Sequence, residues 1–186
     1  MYPHWLEIVK QTTLFLIVIT FFSIFAGFFI ESNLKLIATF PSILLIIPAF
    51  IDACGDITST FAARLTSSLR LGLFNFKKKK KRIYTNVEST MALTLLFFSF
   101  ISITGYIISI LIGLKVPSII PFFLAIIISA IIVVIISFLL AIIVAYIVIK
   151  KGLDPDNFEA PLLSTVSDLI GVFIFINVCK IIFLGG

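Results

Sequence analysis

Residues 160–183 of this chain, APLLSTVSDLIGVFIFINVCKIIF, form a run that is long and apolar enough to cross a lipid bilayer. Asp168 lies in the middle of this run. A carboxylate at the centre of a membrane-spanning helix costs roughly 2.5–3.5 kcal/mol to insert. A second acidic pair, Asp52 and Asp56, interrupts another apolar stretch far upstream. Three carboxylates at membrane depth predict a functional site, and such oxygen ligands attract hard cations such as Mg²⁺.

The composition places the whole chain in a membrane. Of its 186 residues, 61% are hydrophobic and only 12% are charged, whereas a soluble domain carries about 25% charged residues. We therefore predict an all-α, polytopic membrane protein in which residues 1–186 form a single transmembrane domain. We expect it to be a multi-pass protein of the cell membrane, surrounded by the lipid bilayer.

The hydropathy pattern predicts five membrane-spanning helices. They run from Thr12 to Ile30, Leu36 to Leu71, Glu88 to Gly113, Ile119 to Ile149 and Glu159 to Leu184. The second helix would be about 54 Å long at 1.5 Å per residue, against a hydrocarbon core of about 30 Å. We therefore expect this helix to be interrupted, and the candidate breakers are Pro41, Pro48 and Gly55.

The second half of this long helix is small and polar. Residues 53–68 read ACGDITSTFAARLTSS, a composition that is not typical of a lipid-facing surface. Asp52, Asp56 and Thr60 are spaced four apart and should share one helix face. If the helix opened at Gly55, the freed backbone carbonyl groups would also face this polar side, which is tolerated only next to protein or a wet cavity.

Basic residues predict the orientation. The block Lys77–Arg82 lies in a predicted loop, residues 73–87, and Lys150 and Lys151 lie in the loop before the last helix. With five helices both loops fall on the same side, and the positive-inside rule makes that side cytoplasmic. The N-terminus is then inside and the C-terminus outside. A basic loop this short is typical of contact with anionic lipid, and we expect no nucleic-acid binding.

The start of the last helix carries further polar groups. Asp154 and Asp156 either form turn and helix-cap contacts or form an acidic vestibule that concentrates cations, and the sequence leaves both interpretations open. Deeper in the helix, Ser164 and Asp168 are one turn apart, with Thr165 beside them. The alternative interpretation of Asp168 is a carboxyl group neutralised by a proton or by a basic partner such as Arg64.

One carboxylate cannot neutralise a divalent ion, but two can. A twofold-symmetric homodimer with the last helix near its axis would bring two copies of Asp168 together. Mg²⁺ sheds its water reluctantly and prefers octahedral oxygen geometry. We therefore expect a largely hydrated ion whose water molecules contact carboxylates, hydroxyls and carbonyls. The predicted metal-site residues are Asp52, Gly55, Asp56, Thr60, Ser164, Thr165 and Asp168.

Two stretches resemble the paired motifs of the MgtE family of magnesium transporters and its vertebrate solute-carrier relatives. They are residues 48–72, PAFIDACGDITSTFAARLTSSLRLG, and residues 154–171, DPDNFEAPLLSTVSDLIG. The resemblance implies a homodimeric five-helix domain with an ion path along the dimer axis between helices 2 and 5. It also implies that Asp168 is the central membrane aspartate of the family. Asp56 stands where the family usually has asparagine, which adds negative charge to the path.

The function that these features favour is transport of a divalent cation, with Mg²⁺ the first candidate and Mn²⁺ another. The alternative is an ion-coupled permease for a small organic solute, in which the carboxylates bind protons or sodium ions. A non-transporting membrane scaffold is a third class. Enzyme chemistry is not expected, because His4 is the single histidine and the serines have no acid–base partner in the pattern.

Overall fold

The computed structural model describes residues 4–70, 80–150 and 155–185. Every regular element in these ranges is an α-helix, which agrees with the predicted all-α class. The helices are α1 (His4–Glu31), α2 (Leu34–Thr39), α3 (Ser42–Arg70), α4 (Lys80–Leu111), α5 (Ile119–Lys150) and α6 (Pro155–Leu184).

Four of these helices contain segments long and apolar enough to cross a membrane. The segments are Ser42–Ser68, Tyr84–Leu111, Ile119–Ala145 and Leu162–Leu184. α1 contributes a shorter apolar segment, Thr20–Glu31, within the part of the chain that the structure describes. Four spans therefore follow from the structure, and the fifth predicted span, in α1, stays a prediction.

The predicted interruption of the long second helix is present, at the first of the three candidate positions. α2 ends at Thr39, and α3 begins at Ser42, directly after Pro41. Phe40 has left the helical region (φ −132°, ψ 83°), which is disfavoured for a residue before proline. α3 then continues without a break through Pro48 and Gly55. The expectation of an opened turn at Gly55 is therefore wrong, because the α-helix retains its own backbone hydrogen bonds there.

The long helices pack with alternating direction. Gly55 of α3 lies beside Ser164 and Asp168 of α6, while Phe50 stacks on Phe175 with ring centroids 4.6 Å apart. Position numbers thus rise along α3 as they fall along α6, so the two helices are antiparallel. α3 and α6 form the most extensive interhelical contact, α5 also packs on both, and α4 packs on α3 and α5.

α1 lies at the side of this bundle. Among the helix pairs in substantial contact, α1 packs on α6, where the rings of Phe29 and Phe173 are 4.9 Å apart. α1 also carries phenylalanines that remain exposed, such as Phe21 and Phe25. Such a surface suits a lipid environment, because apolar side chains facing acyl chains lose nothing by being uncovered there.

Two apolar clusters fill the bundle, one towards each end. The first contains Ile47, Phe50, Cys54 of α3 with Val172 and Phe175 of α6. The second contains the following buried residues: Phe61, Ala62, Leu65, Val134, Phe138, Ala141, Ala145 and Leu163. Along α3 and α6 the two clusters leave a gap of about two helical turns. The residues of that gap form a polar layer, which contains every predicted metal-site residue except Asp52.

Three sequence-based predictions fall wholly or partly outside the described residues. The first part of the predicted basic loop, residues 73–79, lies outside them, whereas its second part, residues 80–87, forms the beginning of α4 and is not a loop. Asp154 also lies outside them. Asp156 lies in the first turn of α6, but its side chain is not among those described. The vestibule interpretation therefore stays a prediction.

Candidate functional site

α3 and α6 approach each other closely at Gly55. A methyl group added to Gly55 would lie 2.7 Å from Ser164 Oγ and 2.8 Å from Asp168 Oδ1. Both distances are too short for carbon–oxygen contacts, so only glycine lets the two side chains occupy these positions. Small residues allow this kind of close helix packing inside membranes. Gly55, Ser164 and Asp168, three residues singled out from the sequence, are thus brought together by the fold.

Asp168 has a buried carboxylate oxygen without a hydrogen-bond partner. Its Oδ1 atom is inaccessible and makes no hydrogen bond with any part of the chain that the structure describes. The charged groups close enough to act on it are the carboxylates of Asp52 and Asp56, which are also negative. Arg64 is exposed and is not among these groups. An uncompensated carboxylate in an apolar setting is unfavourable, so this oxygen is available for a cation or a proton.

Asp52, Asp56 and Thr60 share one face of α3, as the spacing predicted, and all three are exposed. Ala49 and Ala63 extend the same exposed face by one turn at each end. We call these five residues the acidic stripe. Its acidic part lies midway along the segment Ser42–Ser68, which is long enough to span a membrane. Two exposed carboxylates therefore sit at a depth where lipid would be a poor neighbour.

Thr165 is the remaining predicted residue and follows Ser164 on α6. Both residues are partly buried, and Thr165 takes part in an interaction of its own. Within the described residues, no group of three or more His, Cys, Asp and Glu side chains converges to hold a metal ion. One protomer thus provides a buried carboxylate and an acidic stripe near it, but not a closed metal site.

Sequence reasoning missed three buried hydroxyl groups in the polar layer. Ser137 Oγ and Ser167 Oγ are 2.9 Å apart and form a buried hydrogen bond between α5 and α6. Thr58 Oγ1 is buried and makes no hydrogen bond within the described part of the chain. Ser137 is one of two serines in the largely apolar sequence of α5, and the sequence does not distinguish it from Ser129. Ser167 and Thr58 stand among many small polar residues, and nothing in the sequence distinguishes them.

The arrangement can do chemistry of one kind. It presents carboxylate and hydroxyl oxygens, which are ligands for hard cations or for the water shell around them. The nucleophilic candidates Cys54 and Cys179 are buried free thiols in apolar surroundings, and neither is paired with a histidine, since the single histidine, His4, is at the start of α1.

Comparison with known proteins agrees with this chemistry. The family model MgtE, described as a divalent cation transporter, matches residues 47–178. The match covers most of the chain and includes α3 from its first turns, all of α4 and α5, and α6 beyond Asp168. No curated protein matches the chain.

Proposed function

Since the chain belongs to the MgtE family of divalent cation transporters, we propose that it carries Mg²⁺ along the axis of a homodimer, between α3 and α6. Members of the family are transporters rather than enzymes. The observation that carries the proposal is the pair of exposed carboxylates, Asp52 and Asp56, midway along a membrane span. The family match concerns divalent cations, so it gives the alternative of a permease for a small organic solute no support.

The exposed carboxylates argue for a second copy of the chain. Facing lipid, each would cost roughly 2.5–3.5 kcal/mol on the insertion scale, whereas facing a wet path between two protomers they would keep water and cations as partners. A twofold axis along the acidic stripe places the same carboxylates on both sides of the path. Two copies of each carboxylate together can balance a doubly charged ion.

Asp168 supplies the inner part of the proposed path. Its buried, unpartnered Oδ1 lies against Gly55, close to the acidic stripe of the same protomer. Ser164 lies beside it, so its hydroxyl can contact the water shell of the ion. Because Mg²⁺ exchanges its water slowly and demands octahedral geometry, we propose that it passes largely hydrated, with these oxygens accepting hydrogen bonds from its water.

The topology is part of the proposal. Four helix ends lie together at one end of the bundle: the end of α3, the start of α4, the end of α5 and the start of α6. We propose that α1 is a fifth span. In the sequence, the basic residues Lys77–Arg82, Lys150 and Lys151 stand at or between these helix ends. The positive-inside rule then places this end of the bundle in the cytoplasm, with the N-terminus inside and the C-terminus outside.

Reconstituted vesicles provide the direct test. Asp168→Asn keeps the shape of the side chain but removes its charge, so we expect Mg²⁺ uptake to fall to the level of empty vesicles while the purified protein keeps its size and helicity. The matched control is Glu88→Gln, which neutralises an exposed carboxylate on α4 that is not among the charged groups acting on Asp168 and should leave uptake unchanged. Normal uptake by Asp168→Asn would refute the proposed path.

The dimer axis has its own test. Cysteines placed at Ala49 or Ala63, on the acidic stripe, should cross-link two protomers in the membrane, because residues beside a twofold axis meet their own copies. The native Cys54 and Cys179 are buried and should not react. Leu96→Cys is the control, since Leu96 is 72% exposed on α4 and should face lipid. Efficient cross-linking at Leu96 with none on the stripe would overturn the proposed axis.

A further inference from the structure

A groove of about 230 Å³ lies between α3 and α4, to one side of the acidic stripe. Its polar lining consists of Asp56, Thr60 and Thr90, and its apolar lining includes Ile57, Leu93 and Phe97. Leu93 and Phe97 are 46% and 51% exposed, so the groove is open to the surroundings of the protomer. Neither the family match nor the proposed path assigns a role to the α4 side of this groove.

The charge of the groove fits a single positive charge. Asp56 is the one carboxylate among its lining residues, and one carboxylate balances one unit of charge. Because Asp52 is not among the lining residues, a divalent ion held in the groove itself would be only half balanced by Asp56, next to Leu93 and Phe97. The groove therefore favours a monovalent cation over the divalent ion of the proposed path.

Two of the three polar side chains in the lining present acceptors to the groove. Thr90 Oγ1 donates its proton to the backbone carbonyl of Asn86 at 2.8 Å, so towards the groove this oxygen can only accept. The Asp56 carboxylate is also an acceptor. A ligand with several N–H donors, such as an ammonium group, satisfies both.

The apolar lining excludes a small hydrated ion as the best occupant. A hydrated inorganic cation needs polar neighbours on all sides, whereas Ile57, Leu93 and Phe97 would face its water shell without forming hydrogen bonds. An apolar body attached to the charged group buries these side chains instead. The ring of Phe97 can add an attraction for the cation itself.

We propose that this groove binds a monovalent organic cation: an ammonium group, held by Asp56 and Thr90, joined to an aromatic or aliphatic body that packs against Leu93 and Phe97. The ligand class is an amphiphilic amine, which can reach the groove from within the bilayer. Binding itself does not depend on transport. If Asp56 also serves the ion path, as the proposed function has it, the bound amine should inhibit Mg²⁺ uptake.

Binding can be measured on the full chain in lipid nanodiscs without divalent ions, using 2-phenylethylamine as the probe and ligand-observed NMR as the readout. The neutral isostere 2-phenylethanol should bind at least about tenfold more weakly, because it lacks the charge-assisted hydrogen bond to Asp56. Asp56→Asn should weaken amine binding by a similar factor. Equal binding of amine and alcohol, or unchanged binding to Asp56→Asn, would overturn the proposal.

Variants of α4 locate the ligand. Leu93→Trp fills the groove and should abolish amine binding, while Leu96→Trp, on the exposed side of the same helix, should leave it unchanged. Thr90→Val is isosteric and removes an acceptor, so it should weaken amine binding several-fold. It provides a second test if Leu93→Trp fails to fold.

Two outcomes would contradict the proposed site. If amine binding fell equally in both tryptophan variants, the amine would only be partitioning into the lipid. If Leu93→Trp abolished the cross-links between cysteines at Ala49 or Ala63, the groove would belong to the interface between protomers, which would also overturn the proposal.

Inhibition of Mg²⁺ uptake separates this proposal from the proposed function. If the amine binds and inhibits wild-type uptake but not that of Leu93→Trp, both are supported. If it binds with the expected variant pattern and uptake is unaffected, the groove proposal stands and the path does not run past Asp56.

Discussion

Ser167 and Asp168 are neighbours on α6, yet their polar atoms have opposite surroundings. Ser167 turns towards α5 and forms a buried hydrogen bond with Ser137, with the oxygens 2.9 Å apart. Asp168 turns towards α3, where its buried Oδ1 has no partner among the described residues and lies against Gly55. One side of α6 thus forms a satisfied contact with α5, and the other forms an unsatisfied one with α3.

The difference separates a structural contact from a functional one. Inside a membrane, a hydroxyl pair that satisfies itself holds two helices together, with contributions of about 0.6 kcal/mol per interaction on average. A carboxylate with a buried oxygen that makes no hydrogen bond does not stabilise the fold in this way, so its presence calls for a functional explanation. The Ser137–Ser167 contact therefore belongs to the scaffold, and the Gly55–Asp168 contact belongs to the proposed path.

Of the two sides of α6, the larger effect is expected from closing the contact between Gly55 and Asp168. Gly55→Ala would place a methyl group 2.7 Å from Ser164 Oγ and 2.8 Å from Asp168 Oδ1, so both side chains must move. We expect Mg²⁺ uptake in vesicles to fall below about a tenth of the wild-type rate, since misplacement by about 1 Å can cost two orders of magnitude at a functional site.

The control for this variant is Gly27→Ala in α1, where an added methyl group meets nothing within 4 Å. Both substitutions improve helix propensity by about 0.5–1 kcal/mol, so thermal unfolding should show a gain for Gly27→Ala and a smaller gain or a loss for Gly55→Ala. Full uptake by Gly55→Ala would mean that the close contact is dispensable.

An intermediate effect is expected on the acidic stripe. Asp56→Asn restores the residue that the resemblance to the family predicts and removes one charge per protomer. Since Asp56 is exposed and Asp52 remains, we expect the apparent KM for Mg²⁺ to rise several-fold while the maximal rate persists. Concentration-dependent uptake measures both quantities. Complete inactivation would instead make Asp56 a direct ligand of the ion.

The smallest effect is expected from breaking the α5–α6 contact. Ser137→Ala leaves Ser167 without this partner and should lower the free energy of unfolding by about 1 kcal/mol, with Mg²⁺ uptake unchanged. The double variant Ser137→Ala/Ser167→Ala removes both groups and should regain part of that stability. If Ser137→Ala reduced uptake as strongly as Gly55→Ala, the distinction between the two sides of α6 would fail.

Much of the helical architecture could be predicted from the sequence, because the composition of a segment indicates whether it spans a membrane. The last two predicted helices agree closely with α5 and α6, since the run of apolar residues sets their length. The common face of Asp52, Asp56 and Thr60 followed from helical spacing alone. The position of the interruption did not follow, because Pro41, Pro48 and Gly55 are all permitted breakers, and a helix in a membrane can keep a proline or glycine when neighbours satisfy the backbone.

The sequence by itself determined that the chain is helical, that it spans a membrane, and that three carboxylates lie at depth within it. The tertiary structure alone decided that Asp168 meets Gly55, that Ser167 meets Ser137, and that a groove opens between α3 and α4. In a soluble helix the apolar stripe shows which face is buried. In a membrane helix both the lipid and the protein core are apolar, so only packing decides which side chain faces which neighbour.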